Sequence, residues 1–293
     1  SPSQKTCLIC MKCLVEWAKQ LLGATRQDKI KAGFLFMKYL LLSILFVITM
    51  ANAALASQRY ISLAPSTTEI LFALGLDAEI VGVSSYCNYP PAAAQKRKMG
   101  NFSNPNIEEI VSLKPDYIFC TGLEQGLVIT QLKNLKLNVY EADPANMDEL
   151  FKTISDIGAI THKTSEAQTL IDSMKTDIRD IRSKVELIPE GKRVKVFLEI
   201  WQEPLMTAGK GSFVDELITL AGGINVAHDV VRPYCNYSPE KVVDRNPGCI
   251  IMTYMDKVPA AQLIKGRYGW NAIDAVKNKK VFNYCYMLYN DNM

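Results

Sequence analysis

Glu108-Glu-Ile-Val-Ser-Leu-Lys-Pro-Asp-Tyr-Ile-Phe119 has a second copy 132 residues later, Glu240-Lys-Val-Val-Asp-Arg-Asn-Pro-Gly-Cys-Ile-Ile251. In each copy a Glu begins a short predicted helix, a Pro follows seven residues later, and an apolar strand comes next. An aromatic residue precedes each Glu by six positions, Phe102 in the first copy and Tyr234 in the second. The copies are too far apart for a solenoid repeat, so they predict two similar lobes with a cleft between them.

Strands and helices alternate on both sides of this repeat. Apolar runs end in turn residues and are followed by helical patterns, which is typical of parallel sheets covered on both faces. In the first lobe the predicted strands are 60–63, 80–83, 117–120 and 137–140. In the second lobe strands are expected at 194–200, 249–253 and 280–284, with helices at 212–221 and 271–277.

One long helical pattern, residues 163–184, lies between the two series. Apolar residues recur along it at steps of three and four, and Thr161 or Thr164 can cap its start. A helix of about 22 residues spans roughly 33 Å, the width of a lobe. The fold class is therefore α/β, with two Rossmann-like lobes and mostly parallel sheets joined by one long backbone helix. The expected domains are 57–162, 163–186 and 187–293, with limited hinge motion between the lobes.

The N-terminal part of the chain predicts export. Met37-Lys38 gives a basic start, residues 39–50 are strongly apolar, and Ala54-Leu-Ala56 ends the segment. This order is typical of a secretory signal peptide, here residues 37–56, and the apolar stretch is too short to span a membrane comfortably. Cleavage is expected after Ala56, or after Ala53, and no Cys follows that could carry a lipid anchor. The predicted location is the periplasm.

We predict no function for the residues that precede the signal peptide. Residues 1–36 form an upstream extension, so the C-x2-C-x2-C spacing of Cys7, Cys10 and Cys13 is interpreted as incidental. The last residues contain no helix-stop signal, so we expect the second lobe to be truncated at its C-terminus.

Charge and composition exclude several partners. Residues 1–56 carry seven Lys/Arg and two acidic residues, which leaves 26 basic and 28 acidic residues in the remainder. This balance gives no reason to expect nucleic acid or an anionic membrane as partner.

Catalysis finds little support in the sequence. A Ser-His-Asp or Cys-His arrangement needs a His beside the nucleophile, and a zinc site commonly needs several. The chain has two, His162 and His228, both interpreted as solvated. It has no G-x-G-x-x-G and no phosphate-binding loop. The chain is therefore predicted not to be an enzyme and to need no cofactor or metal.

Five cysteines follow the signal peptide, and their pairing cannot be deduced from the sequence. Cys120 and Cys249 lie in or beside apolar strands and are predicted core residues. Cys87, Cys235 and Cys285 are the other three.

The loops after the strands are the predicted ligand site, because ligands of open parallel sheets bind beyond the carboxyl ends of the strands. The segment Tyr86-Cys-Asn-Tyr89 recurs as Tyr234-Cys-Asn-Tyr237, so each lobe offers aromatic faces and hydroxyls. Such groups suit a large, flat, partly apolar ligand. The candidate contacts from these loops are Pro65, Ser66, Tyr86, Cys87, Trp201, Tyr234 and Tyr237.

Four segments together resemble a known family, the periplasmic binding proteins of vitamin B12 and ferric-siderophore ABC importers. They are Ser62-Leu-Ala-Pro-Ser-Thr-Thr-Glu69, Val81-Gly-Val-Ser-Ser-Tyr-Cys-Asn-Tyr-Pro-Pro91, Asn104-Pro-Asn-Ile-Glu108 and Leu113-Lys-Pro-Asp116. The resemblance extends from residue 60 to about residue 286. The Tyr-Cys-Asn-Tyr-Pro-Pro and Asn-Phe-Ser-Asn-Pro-Asn segments are most similar to the cobalamin branch.

The resemblance implies a monomeric binding protein that holds a corrin between aromatic residues of its lobes. By position it places Tyr86 and Phe102 on ligand contacts of the first lobe and Tyr234 on one of the second, with Trp201 close to another. Phe102 and Tyr234 stand where the best-known member has tryptophan. It also implies that Glu108 and Glu240 meet arginines of the permease dimer, and that a further turn and helix follow.

Two alternatives remain open at this stage. A ferric siderophore or haem would call for basic residues in the cleft, and Arg232 beside Tyr234 is the one candidate. A metallocluster enzyme on a similar scaffold would need cysteines facing each other across the lobes, for which Cys87 and Cys235 are the available pair.

Overall fold

The computed structural model describes residues 37–38, 58–253 and 258–283, without the side chains of residues 123 and 124. The chain divides into two compact units, residues 1–58 and 59–293, and the architecture below belongs to the second. The predictions for residues 1–36, for most of the signal peptide, for Cys285 and for the C-terminal end lie outside the described residues. Within the described ranges, no helix combines the length and apolar character needed to cross a bilayer.

The first lobe is a four-stranded sheet in which every pairing is parallel, in the order β2-β1-β3-β4. Its strands are β1 (Tyr60–Ser62), β2 (Ile80–Val83), β3 (Tyr117–Cys120) and β4 (Val139–Glu141). Its helices are α1 (Pro65–Ala73), α2 (Pro91–Ala94), α3 (Ile107–Ser112), α4 (Gly122–Asn134) and α5 (Met147–Ile160).

Helices cover both faces of this sheet. Successive side chains of a strand point to opposite faces, so Tyr60 and Phe119 pack into one core cluster while Ile61 and Ile118 pack into another. All four are at most 1 % exposed. Burial on both faces explains why the strands appear in the sequence as continuous apolar runs.

A single helix, α6 (Thr164–Glu186), links the lobes. Its 23 residues make it about 35 Å long. Ala167 and Ile171 are buried in the first lobe's core, whereas Ile181, further along, is 44 % exposed. The predicted connecting helix is confirmed.

The predicted cap of α6 is wrong. The N-cap residue is Lys163, with no side-chain capping bond. Thr161 instead donates its hydroxyl to the Ile157 carbonyl, 2.8 Å away, because it closes the preceding helix α5. Helix α5 itself was not predicted.

The second lobe contains a six-stranded mixed sheet in the order β10-β9-β5-β6-β8, with β7 paired to β5. Its strands are β5 (Lys195–Gln202), β6 (Leu205–Ala208), β7 (Ile224–Asn225), β8 (Tyr234–Asn236), β9 (Cys249–Met252) and β10 (Val281–Asn283). Its helices are α7 (Phe213–Leu220), α8 (Pro239–Arg245), α9 (Ala260–Leu263) and α10 (Asp274–Lys277), with 3-10 turns at Glu190–Lys192 and Trp270–Ala272.

This lobe departs from the predicted plan at one side of its sheet. Strands β5, β9 and β10 are parallel as expected, but β6 runs antiparallel to β5 and to β8. Glu203-Pro204 forms a two-residue connection that reverses the chain, so β5 and β6 form a hairpin. Its core packs Phe197 against Trp270 and Tyr237, with ring centroids 6.3 and 5.8 Å apart.

Candidate functional site

A buried hydroxyl network shapes the turn between β1 and α1. The Ser62 hydroxyl lies 2.7 Å from that of Thr67 and accepts a hydrogen bond from that of Thr68 at 2.8 Å. Both threonines also donate to the Ala64 carbonyl at 3.0 Å. Helix α1 therefore begins at Pro65 with Ala64 as N-cap. Pro65 is half-buried and Ser66 is exposed, so both lie at the surface of the predicted site.

The loop after β2 presents Tyr86 and hides Cys87. Tyr86 is 44 % exposed, whereas Cys87 is fully buried in the lobe core, with its sulfur 3.1 Å from the Ser84 hydroxyl. A buried thiol cannot reach a ligand in the cleft, so Cys87 does not belong to the site we propose. Ser85 donates through its amide and its hydroxyl to the Gly100 carbonyl, at 2.8 and 2.9 Å. These bonds tie the Tyr86 loop to the loop that carries Phe102.

Gln125, the fourth residue of α4, joins three loops of the first lobe. Its side chain is fully buried and donates to the carbonyls of Leu63, at 3.0 Å, and Phe102, at 2.8 Å. Its carbonyl oxygen accepts the amide of Thr121 at 3.1 Å. Phe102, itself half-buried, is thereby fixed to the ends of β1 and β3. Sequence reasoning missed Gln125, because its bonds reach residues far away in the chain and no local pattern indicates them.

Replacing Gln125 by Ala is expected to lower the free energy of unfolding by about 1–3 kcal/mol, since buried backbone groups lose their partners. It should also weaken ligand binding, because the Phe102 loop is no longer held. Urea unfolding and ligand titration measure the two effects. Gln131→Ala, at an exposed position of the same helix, is the matched control. If Gln125→Ala left the urea concentration at the unfolding midpoint unchanged, Gln125 would not hold the Phe102 loop as we describe.

In the second lobe, Trp201 lies at the end of β5 with 58 % of its surface exposed. Its indole nitrogen donates to the Glu203 carbonyl at 2.9 Å, which orients the ring across the hairpin turn. One ring face is thus available for stacking.

Tyr234 and Tyr237 have different environments because β8 is a strand, where a loop was expected. Tyr234 is 47 % exposed at the start of β8. Tyr237 is 7 % exposed, packs on Phe197 and donates its hydroxyl to the Val226 carbonyl at 3.4 Å. Tyr237 is therefore a core residue and leaves the proposed site. The Gly209 amide donates to the Pro233 carbonyl at 3.0 Å, which holds the entry to β8.

The lobes meet where β4 ends and α7 begins. The Met147 amide of α5 donates to a carboxylate oxygen of Glu216 in α7 at 3.1 Å. Partial burial raises the pKa of Tyr234, and the nearby Asp143 carboxylate raises it further. Asp143 also accepts a long hydrogen bond of 3.4 Å from the Thr121 hydroxyl. Tyr234 of the second lobe therefore lies close to the strand-end loops of the first.

Glu108 and Glu240 occupy matching places, each exposed in the first turn of a short helix. Asn106 caps α3 by accepting the Glu109 amide at 3.1 Å, and Ser238 caps α8 by accepting the Lys241 amide at 3.3 Å. The Ser238 hydroxyl also donates to Glu240, which lowers the pKa of this carboxyl group. Both side chains are offered to solvent, one from each lobe.

Cysteine and histidine positions do not favour catalysis or cluster binding. The four described cysteines that follow the signal peptide, Cys87, Cys120, Cys235 and Cys249, are free thiols. Burial raises the pKa of Cys120 to about 12, so it stays protonated. Over the described residues, no group of three His, Cys, Asp or Glu side chains could hold a metal ion. Cys87 is buried within its own lobe and cannot face Cys235 across the cleft. The alternative of a metallocluster enzyme, which depended on this pair of cysteines, therefore has no support from the structure.

His228 has a structural partner. Its Nδ1 lies 3.0 Å from both carboxylate oxygens of the buried Asp215, which also accepts from the Asn225 amide at 2.8 Å. The imidazole is half exposed, as predicted, but it is anchored and helps to order the loop after β7.

Two α/β lobes joined by one long helix, with exposed aromatic residues at their strand ends, define a two-lobed binding protein. Residues 61–285 match the family model described as periplasmic binding protein, and the chain belongs to this family. It is a substrate-binding protein of an ABC importer, which confirms both the predicted resemblance and the prediction that it is not an enzyme.

Two curated relatives and one solved structure illustrate the likeness. An uncharacterized ABC transporter substrate-binding lipoprotein, YvrC, of Bacillus subtilis is 33 % identical over 231 residues, or 77 % of this chain and 72 % of that protein. The vitamin B12-binding protein of Salmonella typhimurium is 32 % identical over 198 residues, or 67 % of this chain and 73 % of that protein. A possible iron-binding (periplasmic solute-binding) protein of Staphylococcus epidermidis is 32 % identical with a TM-score of 0.65, covering 78 % of this chain and 90 % of that one.

Proposed function

We propose that this protein captures a corrinoid of the vitamin B12 type between its lobes and delivers it to the permease dimer of an ABC importer. The observation that carries this proposal is the set of exposed or half-buried aromatic residues in the two lobes, Tyr86, Trp201 and Tyr234 at strand ends and Phe102 in the loop between α2 and α3. A corrin is large and flat, and its faces can stack on such rings. Pro65 and Ser66 add a surface beside them.

Charge around these residues supports a ligand without strong negative charge. Glu141 ends β4 and Asp143 lies two residues beyond it, close to Tyr234. Among the described residues of the loops that follow the strands, the cations are Lys210, after β6, and Arg232, after β7. Carboxylates of haem or of an anionic siderophore would meet like charge here, whereas the amide groups of a corrinoid would not.

The alternative ligand is an iron chelate, a ferric siderophore or haem. Arg232, which is exposed and two residues from Tyr234, favours this reading, as does the likeness to the possible iron-binding protein. A single arginine could form a bidentate pair with one carboxylate.

Titration calorimetry of the protein from residue 57 onward tests the ligand. We expect one-to-one binding of cyanocobalamin at submicromolar concentration, with hemin and ferric siderophores binding far more weakly. No heat with cyanocobalamin at two temperatures, together with binding of an iron compound, would transfer the proposal to the alternative ligand and leave the importer class unchanged.

Phe102→Ala and Tyr234→Ala should each weaken corrinoid binding by about 1–3 kcal/mol, since buried aromatic anchors contribute most to such sites. The same calorimetric titration measures the loss. Tyr268→Ala is the matched control, because Tyr268 is 99 % exposed outside the strand-end loops. Unchanged affinity in both Phe102→Ala and Tyr234→Ala would place the ligand elsewhere.

The remaining organisation is part of the proposal. We infer lobes at residues 57–162 and 187–293 with the connecting helix at 163–186, a monomer, and export to the periplasm by the signal peptide 37–56 without a lipid anchor. N-terminal sequencing of the exported protein is expected to begin at Ser57, and a start upstream of Met37 would refute the signal peptide.

A further inference from the structure

The connecting helix α6 crosses between the lobes with little core packing over its second half. Ile171 is its last buried residue, and every position from 172 to 186 is exposed or half-buried. Helix α5 packs against the first half of α6. Near the other end of α6, the Val185 side chain packs on Gly222, just after α7. A segment with few buried contacts moves more easily than the cores on either side, so packing along α6 does not by itself fix the angle between the lobes.

One hydrogen bond joins the lobes beside this segment. The Met147 amide, at the first position of α5, donates to a carboxylate oxygen of Glu216, in the first turn of α7, at 3.1 Å. Between described residues of 58–162 and 187–283, no other direct hydrogen bond is formed. The first amides of a helix have no partner within the helix. A carboxylate that accepts one of them also meets the positive end of the helix dipole, so this bond is charge-assisted.

A polar groove of about 490 Å³ surrounds this bond and is lined by α5, α6 and α7. Its cations all come from one face of α6, at spacings of four and three residues, and are Lys175, Arg179 and Arg182. Asp148 of α5 and Asp172 of α6 also line the groove. Three cations against two carboxylates leave one positive charge on the side formed by α5 and α6. The Glu216 carboxylate, which comes from the second lobe, balances that charge and is attracted toward the Met147 amide.

We propose that Glu216 is a positioning residue for ligand capture, and that its bond to Met147 is a latch that holds the two lobes at the spacing the ligand needs. A ligand held between the lobes leaves when they separate, and the latch opposes this separation. Because only the fraction of molecules with correctly spaced lobes binds tightly, losing the latch lowers the apparent affinity. This inference rests on the proposed capture of a ligand between the lobes and adds the residue that keeps them together.

Stopped-flow kinetics of cyanocobalamin release test the latch. Glu216→Ala should raise the dissociation rate about tenfold and change the association rate by less than about twofold. Glu216→Gln, which keeps an acceptor oxygen but loses the charge, should raise the dissociation rate about threefold. Asp148→Ala is the matched control, because it removes another carboxylate of the same groove and leaves the bond between Met147 and Glu216 in place. It should stay within about twofold of the unmodified protein.

Met147→Pro removes the donor of the same bond. Proline is tolerated at the first position of a helix, and Asn146 before it is already extended, so α5 should still form. Met147→Ala, which keeps the amide, accounts for the loss of the buried side chain. Met147→Pro should release cyanocobalamin about tenfold faster than Met147→Ala does. Adding Glu216→Ala to Met147→Pro should raise the rate no further, because both changes remove one bond. A further tenfold increase would overturn the latch.

A distance measurement without ligand separates this inference from the proposed function. Spin labels on unnatural amino acids at Lys133 and Lys277, exposed in the first and second lobes, report the spacing of the lobes. Glu216→Ala should broaden the distribution of distances, whereas Asp148→Ala should leave it narrow. An unchanged distribution in Glu216→Ala would overturn the latch whichever ligand the protein binds. If the unmodified protein did not bind cyanocobalamin, the proposed ligand would be refuted, and a broadened distribution in Glu216→Ala would still support the latch.

Discussion

Replacing Glu108 and Glu240 together by Ala will abolish uptake and leave ligand affinity unchanged. Both side chains are exposed and lie in the first turns of α3 and α8, which are matching elements of the two lobes. Removing one partner of a desolvated charge pair costs about 2–5 kcal/mol of binding, so losing both should weaken docking by at least about a thousandfold. Ligand affinity should persist, because neither residue belongs to the aromatic set that we assign to the ligand.

Uptake of labelled cyanocobalamin by cells that depend on this protein measures the first effect, and calorimetry measures the second. The single variants should retain intermediate uptake, because each lobe keeps one contact. Glu186→Gln controls for the loss of an exposed carboxylate. Lost ligand affinity in the double variant would refute the docking role, and full uptake would remove both residues from the permease contact.

The fold could be predicted from the sequence where physical constraints act locally. Strands β3 and β9 are continuous apolar runs because they are interior strands of their sheets. The long α6 was recognisable from its apolar spacing. Strands β6 and β8 were missed: β6 has four residues, and β8, Tyr-Cys-Asn, is a mostly polar edge strand. Helix α5 was overlooked although Asn146 caps it and its apolar face is regular.

The site was predicted less completely, because strand ends determine which loops lie near a ligand but not which side chains point outward. Tyr86 and Cys87 are neighbours, yet one is 44 % exposed and the other fully buried. Tyr234 and Tyr237 are only three residues apart, yet Tyr234 is exposed and Tyr237 is buried. The direction of a side chain depends on contacts with residues far away in sequence. Gln125 bonds to Leu63, 62 residues earlier, and no local pattern indicates such a bond.

The ion pair between Glu199 and Arg267 is the clearest such long-range feature, because its partners are 68 positions apart in the sequence. Glu199 lies on β5 with no exposed surface, and the Arg267 side chain is 14 % exposed. Glu199→Ala is expected to lower the free energy of unfolding by about 3–5 kcal/mol, because it removes one partner of a buried ion pair. Urea unfolding with a tryptophan probe measures the change, since Trp270 lies against Arg267.

The double variant Glu199→Met/Arg267→Met distinguishes the cost of a lone charge from the loss of packing. Replacing a buried pair by apolar side chains of similar volume is often close to neutral, so the double variant should be more stable than Glu199→Ala. If Glu199→Ala and the double variant lower the free energy of unfolding by the same amount, the pair stabilises the protein through packing on Trp270 rather than through charge.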